Sequence, residues 1–188
     1  IQSHQKASQG NMKLEYYLQR YFMDSTRFHQ LNLEQYSYLT QCLQAYILQN
    51  ALAVQLLAAP RNQGSLIWQL NDVWPSISWS LIDFSGRPKA AWYAVRRMFA
   101  ENARLTTDPL IPRNWPYPTV QLSIRRLTAT DILIEADQPA WFVELYVPGK
   151  NITWSDNFFH LRAGEQKRIR LQKGNITAEL LQQIRYRV

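Results

Sequence analysis

The sequence predicts an α/β layer followed by an all-β domain. Three observations carry this. Apolar residues recur at steps of three and four over much of the first hundred positions. Four prolines then crowd into Thr106–Pro118. Beyond them, short runs alternate apolar with polar residues and are separated by turn residues. Helices interleaved with extended segments indicate an α/β layer, and closely spaced short strands indicate a β-sandwich.

The elements follow in order. Residues 11–23 carry Met12, Leu14, Tyr17, Leu18, Tyr21 and Phe22, a short helix pattern. A longer helix is predicted from Leu33 to Leu57, with a stripe of Leu33, Tyr36, Leu39, Leu43, Tyr46, Ile47, Ala51, Val54 and Leu57. Pro60 and Gly64 punctuate its end. Ser65–Leu70 reads as a strand, and Ser76–Asp83 as a strand or an extended loop. Ser85-Gly86-Arg87-Pro88 is a turn, with Pro88 suited to the first turn of a helix that continues through Phe99. Prolines 109, 112, 116 and 118 cannot occupy a helix interior or a central strand, so 106–118 reads as a linker. After it, strands are predicted at Val120–Ile124, Ile132–Glu135, Trp141–Val147, Phe158–Leu161 and Arg168–Leu171, then a helical turn in Thr177–Ile184 and a last strand at Tyr186–Val188. The predicted domains are therefore 1–105, the linker 106–118, and 119–188.

Composition narrows the function classes. The formal charge is +7 and the pI about 9.7. The basic pairs Arg96-Arg97, Arg125-Arg126 and Lys167-Arg168 are short and scattered, with no nucleic-acid signature beside them. They read as solvated faces, and no nucleic-acid partner is expected. No apolar run reaches the ~20 residues needed to span a bilayer, so no membrane partner is expected. The single cysteine, Cys42, falls in a helical pattern and reads as a buried thiol; it excludes an intrachain disulfide. His4, His29 and His160 have no metal-ligand spacing, and glycine-rich phosphate loops are missing, so no cofactor is predicted. The compartment is not indicated. Two acceptor patterns, at Asn151 and Asn175, bear on glycosylation only in a secreted eukaryotic context.

The densest cluster of functional groups is Ser65–Pro75. It delivers Trp68, Gln69, Asn71, Asp72 and Trp74 to one place, as the mouth of a sugar pocket would. Glycoside hydrolysis generally needs two carboxylates, about 5–5.5 Å apart for retention or about 6.5–9.5 Å for inversion. Of the 14 acidic residues, only Asp72 and Asp83 lie beside the aromatic cluster. Asp83 reads as a turn cap. Asp72 either orients a ligand or caps a loop. Neither has a partner carboxylate in sequence.

Leu66-Ile67-Trp68-Gln69-Leu70-Asn71-Asp72-Val73-Trp74-Pro75 resembles the Trp-Gln-Leu-Asn-Asp-x-Trp segment of β-mannosidases of glycoside hydrolase family 2. The likeness continues through Ser78-Trp79-Ser80, Asp83-Phe84, Gly86-Arg87-Pro88-Lys89-Ala90 and Tyr93. It extends to His4-Gln5-Lys6 with Gly10-Asn11, to Tyr38-Leu39-Thr40-Gln41 with Gln44-Ala45, and to Phe142–Leu145 and Trp154–Phe159. The resemblance implies that 1–105 is the last part of a (β/α)₈ TIM barrel, with Ser65–Leu70 as its eighth strand, followed by an Ig-like β-sandwich. Active-site groups of such barrels sit at the C-terminal ends of the strands.

By this resemblance the whole protein would be a retaining exo-β-mannosidase that removes terminal non-reducing β-D-mannose. Its partners would be a β-mannoside or manno-oligosaccharide and the remainder of the same enzyme. Trp68 takes the role of the floor of the sugar site; Asn71, Asp72 and Trp74 match the motif as further substrate-binding candidates. The family's acid/base and nucleophile glutamates lie upstream of the His4 stretch. Neither maps onto this chain, so it is expected to be an inactive C-terminal fragment with no catalytic residue of its own. The family also commonly places another β-sandwich where only the Pro-rich linker stands here. Two alternatives remain: a non-catalytic carbohydrate-binding or scaffolding piece using Trp141 or Trp154 as a platform, or a family 2 glycosidase of other sugar specificity.

Overall fold

The computed structural model describes residues 4–100 and 119–188. The predicted linker 106–118 and the domain boundary at 105 lie outside the described residues. The chain divides into two compact units, Ile1–Pro116 and Tyr117–Val188.

In the first unit the helices are α1 (Gly10–Tyr21), α2 (Ser25–His29), α3 (Leu33–Leu57) and α4 (Ala90–Ala100). The short α2 escapes periodicity because five residues cannot display a stripe. Its signal is the cap: Asp24 accepts from the Arg27 amide at 2.9 Å. α3 begins in a capping box. The Asn32 side chain accepts from the Gln35 amide at 2.9 Å, and the Gln35 side chain accepts from the Asn32 amide at 3.0 Å.

The buried face of α3 differs from the predicted stripe. Tyr38, Thr40, Cys42, Leu43, Ala45 and Leu52 are buried, whereas Leu33, Ile47, Val54 and Leu57 are exposed. The partner decides this. α3 packs on α4, whose Ala90 and Ala91 are wholly buried. Leu52, Leu81, Ala91 and Val95 form the centre of that contact, with Leu48, Ile67, Ile82, Trp92 and Met98 around it. Small side chains on α4 let the helices approach closely.

Ser65–Leu70 is not a strand among the described residues. A buried parallel strand needs a ladder on both sides, and the parallel pairing here is a single bridge just after the segment, Asn71 to Ile82. Its backbone is tied to the returning limb instead: Leu81 N–H to the Leu70 carbonyl at 3.1 Å, Ile82 N–H to the same carbonyl at 2.9 Å, and Asp72 N–H to the Ile82 carbonyl at 3.0 Å. Ser76–Asp83 is likewise an extended loop. The helix after Pro88 starts at Ala90.

The second unit contains β1 (Leu122–Arg126), β2 (Asp131–Ala136), β3 (Ala140–Tyr146), β4 (Phe159–Leu161), β5 (Gln166–Arg170), α5 (Ala178–Gln183) and β6 (Arg185–Arg187). Two three-stranded sheets form, in the orders β1-β2-β5 and β4-β3-β6. The four strand pairings are antiparallel. Ile132, Ile134 and Ile169 of one sheet and Val143, Leu145, Phe159 and Leu161 of the other belong to a single core. α5 is capped by Thr177, whose hydroxyl accepts from the Leu180 amide.

Candidate functional site

The site candidates lie on one loop that leaves α3, runs out through Trp68 to Trp74 and returns through Trp79 to α4. Its outgoing limb alternates, with the apolar side outward. Leu66, Trp68 and Leu70 are exposed, Trp68 by 75%. Ile67 turns inward onto the α3–α4 core. The Trp68–Gln69 peptide is cis. Asn71 is exposed, and its amide donates to the Asp72 carbonyl at 3.2 Å.

Trp74 is 39% exposed. The His4 ring stacks on it with centroids 5.1 Å apart and planes 17° apart. The Lys6 ammonium stands 5.6 Å from its centroid, a cation–π distance. His4 also contacts the Pro75 carbonyl through Nδ1 at 2.6 Å. Beside it, the Gln5 amide donates to the Ile77 carbonyl at 3.2 Å. Gly10 makes room for Gln5: a Cβ there would come within 2.5 Å of the Gln5 Cδ. The His4-Gln5-Lys6 and Gly10 stretch is therefore a clasp on the tip of the Trp74 loop.

Asp72 points into the fold. It is buried, and its Oδ2 lies 2.6 Å from the Lys89 ammonium, which is also buried. That contact is an ion pair whose angles fall outside hydrogen-bond geometry. Ser78 donates its hydroxyl to the Asp72 Oδ1. Lys89 further donates to the Ser80 hydroxyl at 2.8 Å and the Ser78 hydroxyl at 3.2 Å. Of the four candidates, Trp68, Asn71 and Trp74 thus present surface, and the Asp72 carboxylate is engaged within the loop. Asp83 caps a turn: its Oδ1 accepts from the Ser85 and Arg87 amides at 2.8 and 2.9 Å, and its Oδ2 pairs with Arg87 at 2.8 Å.

Lys89 carried no functional meaning in the sequence beyond its place in the resemblance. A lysine immediately before a helix normally reads as solvated. The missed signal was the pairing of Asp72 with Ser78 and Ser80, which creates a polar interior for a cation.

In the second unit Trp154 is 1% exposed and sits in the core. It offers no platform to a ligand. Asn157, in the Ser155-Asp156-Asn157 stretch, is also structural. Its side chain accepts from the Leu145 N–H at 2.7 Å and donates to the Leu145 carbonyl at 3.1 Å, standing in for a paired strand residue. Among the described residues, no group of three or more His, Cys, Asp or Glu is arranged to hold a metal ion.

Comparison with known proteins gives the following likenesses. An Ig-fold domain model of mannosidases matches residues 115–187. "Beta-mannosidase B" of Aspergillus niger is 38% identical over 98 residues, covering 50% of this chain and 11% of that protein. "Beta-mannosidase B" of Thermothelomyces thermophilus is 29% identical over 159 residues, covering 77% of this chain and 18% of that protein. The fold matches the crystal structure of a β-D-mannosidase from Dictyoglomus thermophilum with a TM-score of 0.75 and 19% identity, over 100% of this chain and 33% of that one. The chain is similar to part of a β-mannosidase. Residues 115–187 carry an Ig-fold domain of the mannosidase type, in a sheet-rich fold. The chain spans under a fifth of the length of the two curated relatives.

Proposed function

We propose that this chain forms one wall of the sugar site of a retaining exo-β-mannosidase. The first unit supplies the last part of a (β/α)₈ barrel, and the second is an Ig-like β-sandwich. The two catalytic glutamates come from polypeptide outside this chain. The substrate is a terminal, non-reducing β-D-mannoside.

The observation that carries the reading is Trp68. It is a large apolar ring held 75% exposed on a loop whose neighbouring carboxylate, Asp72, is already neutralised by Lys89. An indole face stacks on the C–H face of a pyranose, and its π-system favours the positive charge of an oxocarbenium-like transition state. The β-mannosidase names of the relatives support the reaction type.

In the full-length enzyme, Trp68→Ala should depress kcat/KM for an aryl β-mannoside by roughly tenfold or more, the equivalent of ~1.4 kcal/mol of lost transition-state contact. An unchanged kcat/KM removes Trp68 from the site.

A further inference from the structure

Lys89 is a costly residue to bury. A lysine is almost never sequestered without partners, and an apolar side chain of similar volume is often as stable as a buried ion pair or more so. Here the Lys89 side chain is 8% exposed and the Asp72 side chain 4%. An ammonium has three donors, and it has three oxygens in reach: Asp72 Oδ2 at 2.6 Å, Ser80 Oγ at 2.8 Å and Ser78 Oγ at 3.2 Å. The network closes on itself. Ser78 donates to Asp72, and Ser80 donates to the Ile82 carbonyl at 3.1 Å.

These groups come from three places in the chain. Asp72 is on the outgoing limb, four residues after Trp68. Ser78 and Ser80 are on the returning limb. Lys89 is fixed at the start of α4, where its own amide donates to the Leu81 carbonyl at 2.9 Å. The next residue, Ala90, is wholly buried and donates its amide to Gln41 Oε1 of α3 at 3.2 Å. One ammonium therefore joins both limbs of the loop to the helix pair. Gln44 of α3 adds a second tie, donating to the Trp79 carbonyl at 2.7 Å.

We propose that Lys89 is a positioning residue: through Asp72, Ser78 and Ser80 it fixes the loop that presents Trp68 to the sugar. The proposal rests on the mannosidase reading of Trp68. A stacked ring contributes to catalysis only when held in register with the substrate, and misplacement by about 1 Å costs on the order of 100-fold.

The test is a double-mutant cycle in the full-length enzyme. Lys89→Met keeps the length and apolar stem and removes the ammonium. Alone, it should lower kcat/KM for an aryl β-mannoside about tenfold or more, mainly through kcat. In the Trp68→Ala background it should lower kcat/KM less than about twofold, because the ring it positions is gone. Equal fold losses in the two backgrounds overturn the proposal.

If Lys89→Met fails to fold, Ser80→Ala removes one ammonium partner and is put through the same cycle, with the same two outcomes. A readout independent of turnover separates this claim from the mannosidase reading. With 5-fluorotryptophan incorporated, the ¹⁹F line lost in Trp68→Phe marks residue 68. Lys89→Met should shift or broaden that line, and a line unmoved in position and width overturns the proposal. Wild-type enzyme inert toward aryl β-mannosides sinks the mannosidase reading, and the ¹⁹F line then decides whether Lys89 positions Trp68.

Discussion

Asp131 shows what a single carboxylate does for the β-rich unit. It is 3% exposed. It accepts from Arg168 at 2.9 Å, Thr128 at 2.7 Å and Arg170 at 3.0 Å. These bonds, Arg168 first, then Thr128 and Arg170, hold its carboxyl well below the usual carboxylate range against the opposing effect of burial. A folded-state value below the unfolded one means stabilisation that is complete above about pH 4 and is lost as pH falls toward the folded value. Asp131→Asn should therefore lower the melting temperature of this unit at pH 7, and the gap from wild type should close progressively below about pH 4. A gap independent of pH would show that the ion pairs are not its source. Asn157 acts through geometry. In Asn157→Ala, the N–H and C=O of Leu145, a residue 2% exposed, lose the partner described above. Each unpaired buried group costs about 1–3 kcal/mol, so urea titration should report a loss of roughly 2 kcal/mol or more.

At the scale of elements, turns were more legible than faces or caps. Asn32 and Gln35 form a capping box at the start of α3, a signal beyond the periodicity that placed the helix at Leu33–Leu57. Asn32→Ala should cost about 1 kcal/mol in chemical denaturation; no loss would mean that packing on α4 alone fixes the helix start. Gly164 takes φ of 72° in the turn before β5, as its sequence context suggests. The face of α3 was not legible. Its sequence offers apolar residues on several sides, and packing against Ala91 and Val95 of α4 buries Leu52 while Val54 and Leu57 stay exposed. The expected strand at Ser65–Leu70 failed for a related reason. β-propensity requires a neighbouring strand to express it, and the backbone there bonds to Leu81 and Ile82.

For the whole molecule, the exposed side chains carry the prediction. Leu66 (102%), Leu70 (61%) and Val73 (74%) flank Trp68 in sequence and are exposed with it, more apolar surface than an isolated residue offers. On the proposed reading, the rest of the enzyme covers part of it. The purified 188-residue chain should not turn over an aryl β-mannoside, and light scattering should show concentration-dependent self-association. Robust turnover by that chain would place the catalytic carboxylates within it and refute the proposed division of labour.

The sequence by itself determined the spans of the longer helices, the alternation of the β-rich unit, its turns, and the aromatic-amide cluster at Trp68–Trp74 that carries the resemblance. Those properties are local, set by period, turn chemistry and motif. Tertiary structure decided what each polar group in that cluster does. Asp72 and Lys89 are 17 positions apart in sequence, and nothing local to either reveals that one is buried against the other at 2.6 Å. Burial away from bulk solvent makes that pairing obligatory. It leaves Trp68, not Asp72, as the group exposed on the loop.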